Sequence, residues 1–291
     1  MPLILLIFLL ILTPARIPQA LAQKLILYTD NDSYGRMNQE KTWIIGYGEP
    51  AYANFFDTRV PARFFLKTPE GKDEKLTLLR RELFDPWFNQ KRIAFETKIT
   101  PKVKGDFLLC IEGEDTLAGR GILLKDYAKA LFHVEKEGPW DSMCAFELEI
   151  RPFTRPYGLQ RGALFWGQVL YQGEPVVNGT IEAERLRLKL NPQALPLDST
   201  REVNYPIFKK QTRLDDRGYF FVNFEEEGWW VLSVSLPRGT KAYGNQRYPY
   251  ELRSHLWLYV YSQGGTERKG PLKTPSKKKK TIKKTEGVKK P

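Results

Sequence analysis

The feature that most constrains this sequence is an alternation of apolar and polar residues, interrupted by clusters of Gly, Pro, Asn and Asp. Segments such as Lys24–Tyr28, Ile93–Ile99 and Thr180–Leu190 alternate in this way. Alternation with a period of two places the apolar side chains on one face of an extended strand. No stretch has the sustained apolar spacing of three and four residues that a long helix requires. We therefore expect an all-β protein, with short helical turns only at Glu82–Gln90 and Leu123–Ala130.

The chain is long enough for two domains, and a proline-rich segment marks the boundary between them. Arg151–Pro156 holds two prolines, which cannot donate hydrogen bonds to a central strand. The segment after it contains about seven strands with turns roughly every ten residues, which is typical of a small β-sandwich. We predict two β-sandwich domains in tandem, over residues 23–152 and 153–263. Hydrophobic residues make up 42% of the chain, which is enough to form such cores.

The N-terminus has the pattern of an export signal. Leu3–Leu12 is an unbroken apolar run of ten residues, about half of what a membrane-spanning helix needs. Ala20-Leu21-Ala22 follows with the small residues that a signal peptidase recognises. We predict a signal peptide over residues 1–22, a mature chain that starts at Gln23, and a periplasmic or secreted protein. Because Met1-Pro2 supplies no Lys or Arg, an uncleaved N-terminal anchor and a buried first strand stay open as alternatives.

The chain has two cysteines, and export would change their expected state. Cys110 lies in an apolar run and Cys144 just before an alternating one. In an oxidising compartment a lone pair of cysteines usually forms a disulfide. The sequence therefore favours a Cys110–Cys144 bond, with two separate buried thiols as the alternative.

The C-terminal segment differs in composition from the rest of the chain. The formal net charge of the chain is +12, and residues 264–291 carry eleven Lys or Arg against two Glu. The body of the protein is therefore nearly balanced, which argues against nucleic acid as a partner. We predict a disordered tail that either keeps the protein soluble or binds an anionic surface of the cell envelope. The residues that would bind this surface are Lys277, Lys278, Lys279, Lys280, Lys283 and Lys284.

Two resemblances to known families are carried by short motifs. The second half resembles transthyretin-like or Cna-B-like β-sandwiches in the order of the segments Gly167–Pro175, Thr180–Ala183, Thr212–Phe220 and Gly228–Trp230. The whole chain resembles a bacterial exported family of unknown function that is often described as a periplasmic component of cobalt or nickel transport. That resemblance is carried by Gly46–Pro50, Lys125–Lys129, His133-Val134, Phe146–Pro152, Pro156-Tyr157, Gly228–Trp230 and Leu256–Leu258.

The second resemblance implies an accessory protein for metal uptake, with nickel or cobalt as its ion and a membrane metal permease as its partner. Imidazole nitrogen suits these metals better than carboxylate alone. The positions where the family carries histidine here read Gln23-Lys24 and Gly48-Glu49-Pro50. His133 is then the candidate metal ligand, with Glu135 and Asp141 near it in sequence. A hydrogen-bonded core histidine is the other interpretation of His133, and His255 is interpreted as structural or exposed.

The motifs of the common hydrolases and phosphate-binding loops do not occur in this sequence. We therefore expect a binding protein and not an enzyme. The first hypothesis is the accessory to metal uptake. The alternative is an envelope scaffold, or a glycan-binding or other ligand-binding module, held at an anionic surface by its tail.

An aromatic platform for sugars would need exposed rings, and the sequence offers one candidate pair. Trp229 and Trp230 must point to opposite faces of an extended strand, so one of them could be exposed. Trp43, Trp166 and Trp257 lie in apolar runs, and we expect them in the core.

Overall fold

The computed structural model describes residues 23–189 and 209–262, which form an almost entirely β structure, as predicted. The predicted signal peptide, the loop expected within 191–205 and the Lys-rich tail lie outside these residues.

Two 3₁₀ turns lie at Pro50–Tyr52 and Gly119–Gly121. The strands are β1 (Lys24–Tyr28), β2 (Tyr34–Gly35), β3 (Lys41–Glu49), β4 (Asn54–Phe56), β5 (Arg63–Lys67), β6 (Asp73–Lys75), β7 (Leu79–Asp85), β8 (Gln90–Ile99), β9 (Gly105–Glu112), β10 (Thr116–Ala118), β11 (Ile122–Val134), β12 (Leu148–Pro152), β13 (Leu159–Gln160), β14 (Leu164–Tyr171), β15 (Glu174–Pro175), β16 (Thr180–Arg185), β17 (Lys209–Arg213), β18 (Tyr219–Asn223), β19 (Gly228–Tyr243) and β20 (Gln246–Tyr261).

These strands form three sheets. Sheet A has the order β1-β3-β8-β7, with β4 paired to β3. Sheet B has the order β17-β16-β19-β20-β11-β9-β5-β6, with β10 and β2 paired to β11 and β13 paired to β20. Sheet C has the order β12-β14-β15, with β18 paired to β14.

Sheet B is the central layer, because its strands bury side chains on both faces. On β9, Leu108 and Cys110 join the core beneath sheet C, whereas Phe107 and Leu109 join the core beneath sheet A. Successive residues of a strand point to opposite faces, so one run of apolar residues supplies both cores. The result is a stack of three layers, with sheet A on one side of sheet B and sheet C on the other.

The two halves of the sequence meet inside this central sheet. Strand β11 pairs in parallel with β20 from Leu123↔Tyr250 to Ala130↔Trp257. Backbone hydrogen bonds therefore cross from one side of the predicted boundary at residue 152 to the other. Sheet A is built from the first half alone, and sheet C begins with β12 at that boundary. The division into two domains stays a prediction, and the halves share one continuous sheet.

The prediction of helical turns in two segments is wrong, because both segments contain β-strand. Leu79–Asp85 is β7, and residues 123–130 lie within β11. Strand β11 is buried on both faces, so its apolar residues run together without the alternation that identifies a half-buried strand. Tight turns lie at Gly71 and Gly218, whose φ values of 80° and 75° favour glycine.

A disulfide joins the central sheet to the segment that leads into sheet C. Cys110 of β9 is bonded to Cys144, with the two Cα atoms 5.8 Å apart. The structure therefore brings together the cysteine pair that the sequence favoured. Both residues lie in the core between sheets B and C, beside Phe65 and Phe146.

Strand β1 is the edge of sheet A, and it is nevertheless buried along its whole length. Tryptophan side chains of sheet B donate hydrogen bonds to backbone oxygens of this strand and of Thr29, the residue that follows it. Trp257 Nε1 donates to the Leu25 oxygen at 3.0 Å, and Trp229 Nε1 donates to the Thr29 oxygen at 3.0 Å. At the start of the strand the buried Lys24 Nζ lies 2.7 Å from Glu184 Oε1.

The expectation that one tryptophan of the 229–230 pair is exposed is wrong. Their strand lies in the covered central sheet, and both side chains are buried.

Candidate functional site

The outer side of sheet C carries a cluster of aromatic side chains that no other sheet of the described residues covers. Trp166 of β14 and Phe221 of β18 are direct cross-strand partners, and they are 38% and 53% exposed. Phe153 and Tyr219, both half-buried, complete the cluster. We call these four residues the aromatic platform. The expectation that Trp166 belongs to the core is therefore wrong.

The rings of the platform form an ordered row. The Trp166 ring stacks on Phe153, with centroids 5.0 Å apart and planes 24° apart. On its other side it stacks on Phe221, at 5.8 Å and 16°. Tyr219 meets Phe153 edge-on at 5.5 Å. Because each ring contacts at least one other, the row is fixed before any ligand arrives, which reduces the entropy lost on binding.

The strand pattern explains why these rings point outward. On β18, Phe220 and Val222 enter the core beneath sheet C, so Tyr219 and Phe221 must face solvent. On β14, Gly167 lies opposite Phe220, and a Cβ atom at this glycine would lie 2.7 Å from the Phe220 ring. The glycine therefore lets the inward ring pack closely while its neighbour Trp166 stays outside.

Polar groups border the aromatic platform. The exposed Arg151 guanidinium lies over Phe153, 5.3 Å from the ring centroid. Among the described residues it has no acidic partner within 4 Å. Asn223 lies across the strands from Leu164 at the other border, where its side chain accepts a hydrogen bond from Lys210 Nζ at 3.2 Å. The platform thus combines apolar ring faces with a cation and an amide that can bind polar groups of a ligand.

His133, the predicted metal ligand, is buried in a hydrogen-bonded aromatic cluster. Its Nδ1 lies 2.6 Å from Asp106 Oδ1, and its ring stacks on Tyr157 with centroids 4.1 Å apart. Glu135, its neighbour in sequence, pairs instead with Lys104 at 3.0 Å. Within residues 23–189 and 209–262 no three His, Cys, Asp or Glu side chains form a group that could hold a metal ion. The structure thus does not unite His133, Glu135 and Asp141 in a site.

His255 belongs to a buried polar network between sheets A and B. Its Nδ1 lies 2.9 Å from Ser233 Oγ, and its Nε2 lies 3.1 Å from Asp126 Oδ1. Asp126 also accepts two hydrogen bonds from Arg253, at 2.6 and 2.7 Å. Burial raises the pKa of Asp126, but the Arg253 guanidinium outweighs this and holds the pKa well below its usual range. Burial lowers the pKa of His255, so this imidazole is neutral at pH 7.

Sequence reasoning missed this network, because its members come from three separate strands. Ser233, His255 and Asp126 are the residue types of a hydrolytic triad. Here, however, the serine contacts Nδ1 and the carboxylate contacts Nε2, which reverses the usual roles of the two ring nitrogens. Ser233 is only 5% exposed, in the interior between two sheets. The arrangement therefore suits a structural network better than a nucleophile that must meet a substrate.

The tail lysines predicted to bind an anionic surface, Lys277 to Lys280 with Lys283 and Lys284, lie outside the described residues. Within the described part of the chain, no helix has the length and apolar character needed to cross a membrane.

The chain matches one family model, over residues 20–238, which is most of its length. The description of this family is Domain of unknown function (DUF4198). No curated protein matches the chain. The cobalt or nickel association and the Cna-B-like fold that the motifs suggested are not part of the family's description.

Several solved structures resemble this chain at low sequence identity. Escherichia coli alpha-2-macroglobulin activated by porcine elastase aligns at 16% identity and a TM-score of 0.23, over 82% of this chain and 20% of that one. Salmonella alpha-2-macroglobulin reacted with methylamine aligns at 15% identity and 0.24, over 82% and 15%. The Yersinia pseudotuberculosis adhesin InvE aligns at 12% identity and 0.22, over 81% and 58%. The chain spans about a fifth or less of the macroglobulins, and TM-scores this low carry no functional argument.

Proposed function

Since this chain belongs to the DUF4198 family of domains of unknown function, we propose that it is an exported, non-enzymatic binding protein whose aromatic platform binds a polysaccharide of the cell envelope. The observation that supports this proposal most is the exposed row Phe153–Trp166–Phe221 on sheet C. Soluble proteins rarely expose contiguous apolar surface without a partner for it.

A polysaccharide fits the chemistry of the platform. The axial C–H groups of a sugar ring pack against the face of an aromatic ring, whose negative quadrupole attracts their partial positive charge. Sugar hydroxyl groups need hydrogen-bonding partners at the border, and Asn223 and Arg151 lie there. Because Arg151 has no acidic partner among the described residues, a carboxylate on an acidic sugar would gain a charge-assisted hydrogen bond. The favoured ligand is therefore an acidic polysaccharide.

The experiment compares platform variants by calorimetric titration with an oligogalacturonate and with cellohexaose, which represent acidic and neutral glycans. Trp166→Ala should reduce the affinity for both by about two- to tenfold, since stacking on one ring contributes roughly 0.5–1.5 kcal/mol. Arg151→Gln should weaken only the acidic ligand. Phe84→Ala on sheet A is the matched control, because Phe84 is an equally exposed phenylalanine outside the platform.

Two results would contradict the proposal. One is the absence of binding to any envelope polysaccharide by the wild-type protein. The other is equal loss of affinity in the Trp166→Ala and Phe84→Ala variants, which would show that the platform is not the site.

The tail supplies the second part of the proposal, attachment of the protein to an anionic envelope surface. Near an anionic bilayer each Lys adds about 1 kcal/mol of attraction. A variant that lacks residues 266–291 should lose binding to phosphatidylglycerol vesicles at low salt and keep its affinity for the oligogalacturonate. Unchanged vesicle binding would leave the tail only a solubilising role.

The role in nickel or cobalt uptake stays an expectation of the family resemblance. His133 Nδ1 is engaged by Asp106 at 2.6 Å, so a metal would have to use the other ring nitrogen or displace this contact. Calorimetric titration with nickel and cobalt tests the expectation directly. A dissociation constant in the micromolar range that is lost in His133→Gln would support it.

A further inference from the structure

A small cavity of about 70 Å³ lies at one end of the layer between sheets A and B. None of the residues of the aromatic platform lines it. Strands β1, β3 and β11 and the loop between β4 and β5 enclose it. Leu25, Val60 and Pro61 supply apolar walls, and the exposed side chains of Asp57, Arg59 and Glu114 lie at its border. The buried Thr58 and Asp126 and the half-buried Tyr47 supply its polar surface.

Thr58 is the member of this lining that lacks a partner. The residue is 5% exposed, and its Oγ1 makes no hydrogen bond within the described part of the chain. Its backbone is fixed, because Thr58 N donates to the Ile93 oxygen at 2.8 Å. A buried hydroxyl without a partner costs about 1–3 kcal/mol. Such a group, held rigidly beside a cavity, indicates a ligand that completes its hydrogen bonds.

Tyr47 is a second hydroxyl-bearing residue in the lining of the same cavity. Its oxygen accepts a hydrogen bond from Arg253 Nη2 at 3.1 Å, so the phenolic proton remains to be donated elsewhere. Burial raises the pKa of Tyr47, which keeps this proton on the oxygen at pH 7. Thr58 and Tyr47 therefore bring two hydroxyl-bearing side chains to the lining of one small cavity.

The charges of the cavity argue against a charged ligand. Asp126, the buried charge of the lining, is already compensated by Arg253 at 2.6 and 2.7 Å. The border holds charges of both signs, since Arg59 stands near Asp57 in sequence and Glu114 lies across the cavity. An ionic ligand would lose its hydration without gaining an unpaired counter-charge on the buried surface.

We propose that this cavity is a binding site for a small uncharged ligand with neighbouring hydroxyl groups, a polyol or a saccharide end of similar size. The ligand exchanges hydrogen bonds with the Thr58 and Tyr47 hydroxyls and packs its C–H groups against Leu25, Val60 and Pro61. This site is separate from the aromatic platform and does not depend on the function proposed for it.

The experiment is a titration of the full chain with glycerol and erythritol, followed by the amide chemical shifts of Thr58 and Gly113. We expect saturable shifts at these two residues. Thr58→Val, which removes the hydroxyl and keeps the shape, should weaken binding about three- to tenfold, the value of one neutral hydrogen bond. Thr58→Ser should restore it, and Tyr47→Phe should weaken binding by a similar factor.

Thr97→Val is the matched control. Thr97 is a buried threonine of β8 that does not line the cavity, so binding should be unchanged. Shifts that do not saturate, or equal affinity in wild type and Thr58→Val, would overturn the proposal and leave the cavity to water. Saturable binding of acetate or methylammonium in place of the polyols would overturn its neutral character. Spectra of each free variant establish that the fold is intact.

Discussion

Sheets A and C pack on opposite faces of the same central sheet, and they differ in what fixes them and in what they present to solvent. Sheet A is joined to sheet B through buried charges, including Lys24–Glu184 at 2.7 Å. Sheet C follows a segment that a disulfide ties to sheet B. Exposed side chains on sheet A include ion pairs, such as Lys91–Glu82 at 2.9 Å, and the separate ring of Phe84, whereas sheet C exposes the aromatic platform.

The difference shows which surface needs a functional explanation. Both inner faces must be apolar, because each covers a core of the central sheet. The outer faces are under no such requirement, and paired charges on sheet A are the ordinary outcome. A row of stacked aromatic rings on sheet C has no packing role of that kind, so we assign it a ligand.

The largest effect is expected in the layer beneath sheet A. Arg253→Met leaves the Asp126 carboxylate buried without its main partner, which should lower the free energy of unfolding by about 3–5 kcal/mol. Urea denaturation measures this loss. The double variant Arg253→Met with Asp126→Leu removes both charges and should recover much of it. A single variant that loses less than about 1 kcal/mol would show that the ion pair does not stabilise this layer.

The layer beneath sheet C depends on the disulfide. Replacement of Cys110 and Cys144 by Ala should lower the free energy of unfolding by about 3–4 kcal/mol, because the bond closes a loop of 34 residues. Urea denaturation of the double variant, against the wild type with and without reductant, checks this value. If the reduced wild type were as stable as the oxidised protein, the bond would not fix the layer.

The free energy of unfolding should fall at high pH, because both layers contain buried tyrosines. Burial raises the pKa of Tyr28 beneath sheet A to about 12, and burial also raises the pKa of Tyr157 beneath sheet C. The unfolded chain ionises first, near pH 10, so the stabilisation is complete below pH 10 and is lost as the pH rises through the folded values. Circular dichroism and tyrosinate absorbance from pH 9 to 12.5 should show unfolding together with ionisation. Tyrosinate formation near pH 10 in a folded protein would contradict this.

The smallest effects on stability are expected on the two outer surfaces. Trp166→Ala and Phe221→Ala should change the free energy of unfolding by less than about 1 kcal/mol, since both side chains are largely outside the core. Lys91→Gln, which breaks an exposed ion pair of sheet A, should change it by less than about 0.5 kcal/mol. Thermal denaturation of the three variants measures these changes in the free energy of unfolding. A loss of about 3 kcal/mol in Trp166→Ala would mean that the platform serves the fold.

The sequence predicted the elements of this fold better than their arrangement. Period-two alternation identified most strands, and turn glycines such as Gly218 marked their ends correctly. The failure at β11 has a physical cause, because a strand covered on both faces loses the alternation that identifies it. The sharing of sheet B by both halves depends on the pairing of β11 with β20, which no local pattern reveals.

The candidate site was predicted less well, and Trp166 shows why. An apolar run around a tryptophan is typical of a core strand, and Phe165 and Val169 of the same strand are indeed buried. Alternation within β14 placed Trp166 on the other face, and its exposure depended on sheet C being an outer layer. The Ser233–His255–Asp126 network likewise required three strands to meet.

The most direct test of the central claim, that the exposed face of sheet C is the ligand surface, is a titration observed at the tryptophan indole N–H resonances. Protein labelled with ¹⁵N is titrated with oligogalacturonate. We expect a saturable shift of the Trp166 indole resonance and no shift of the resonances of the buried Trp43 and Trp257. Saturable binding that leaves Trp166 unchanged would contradict it.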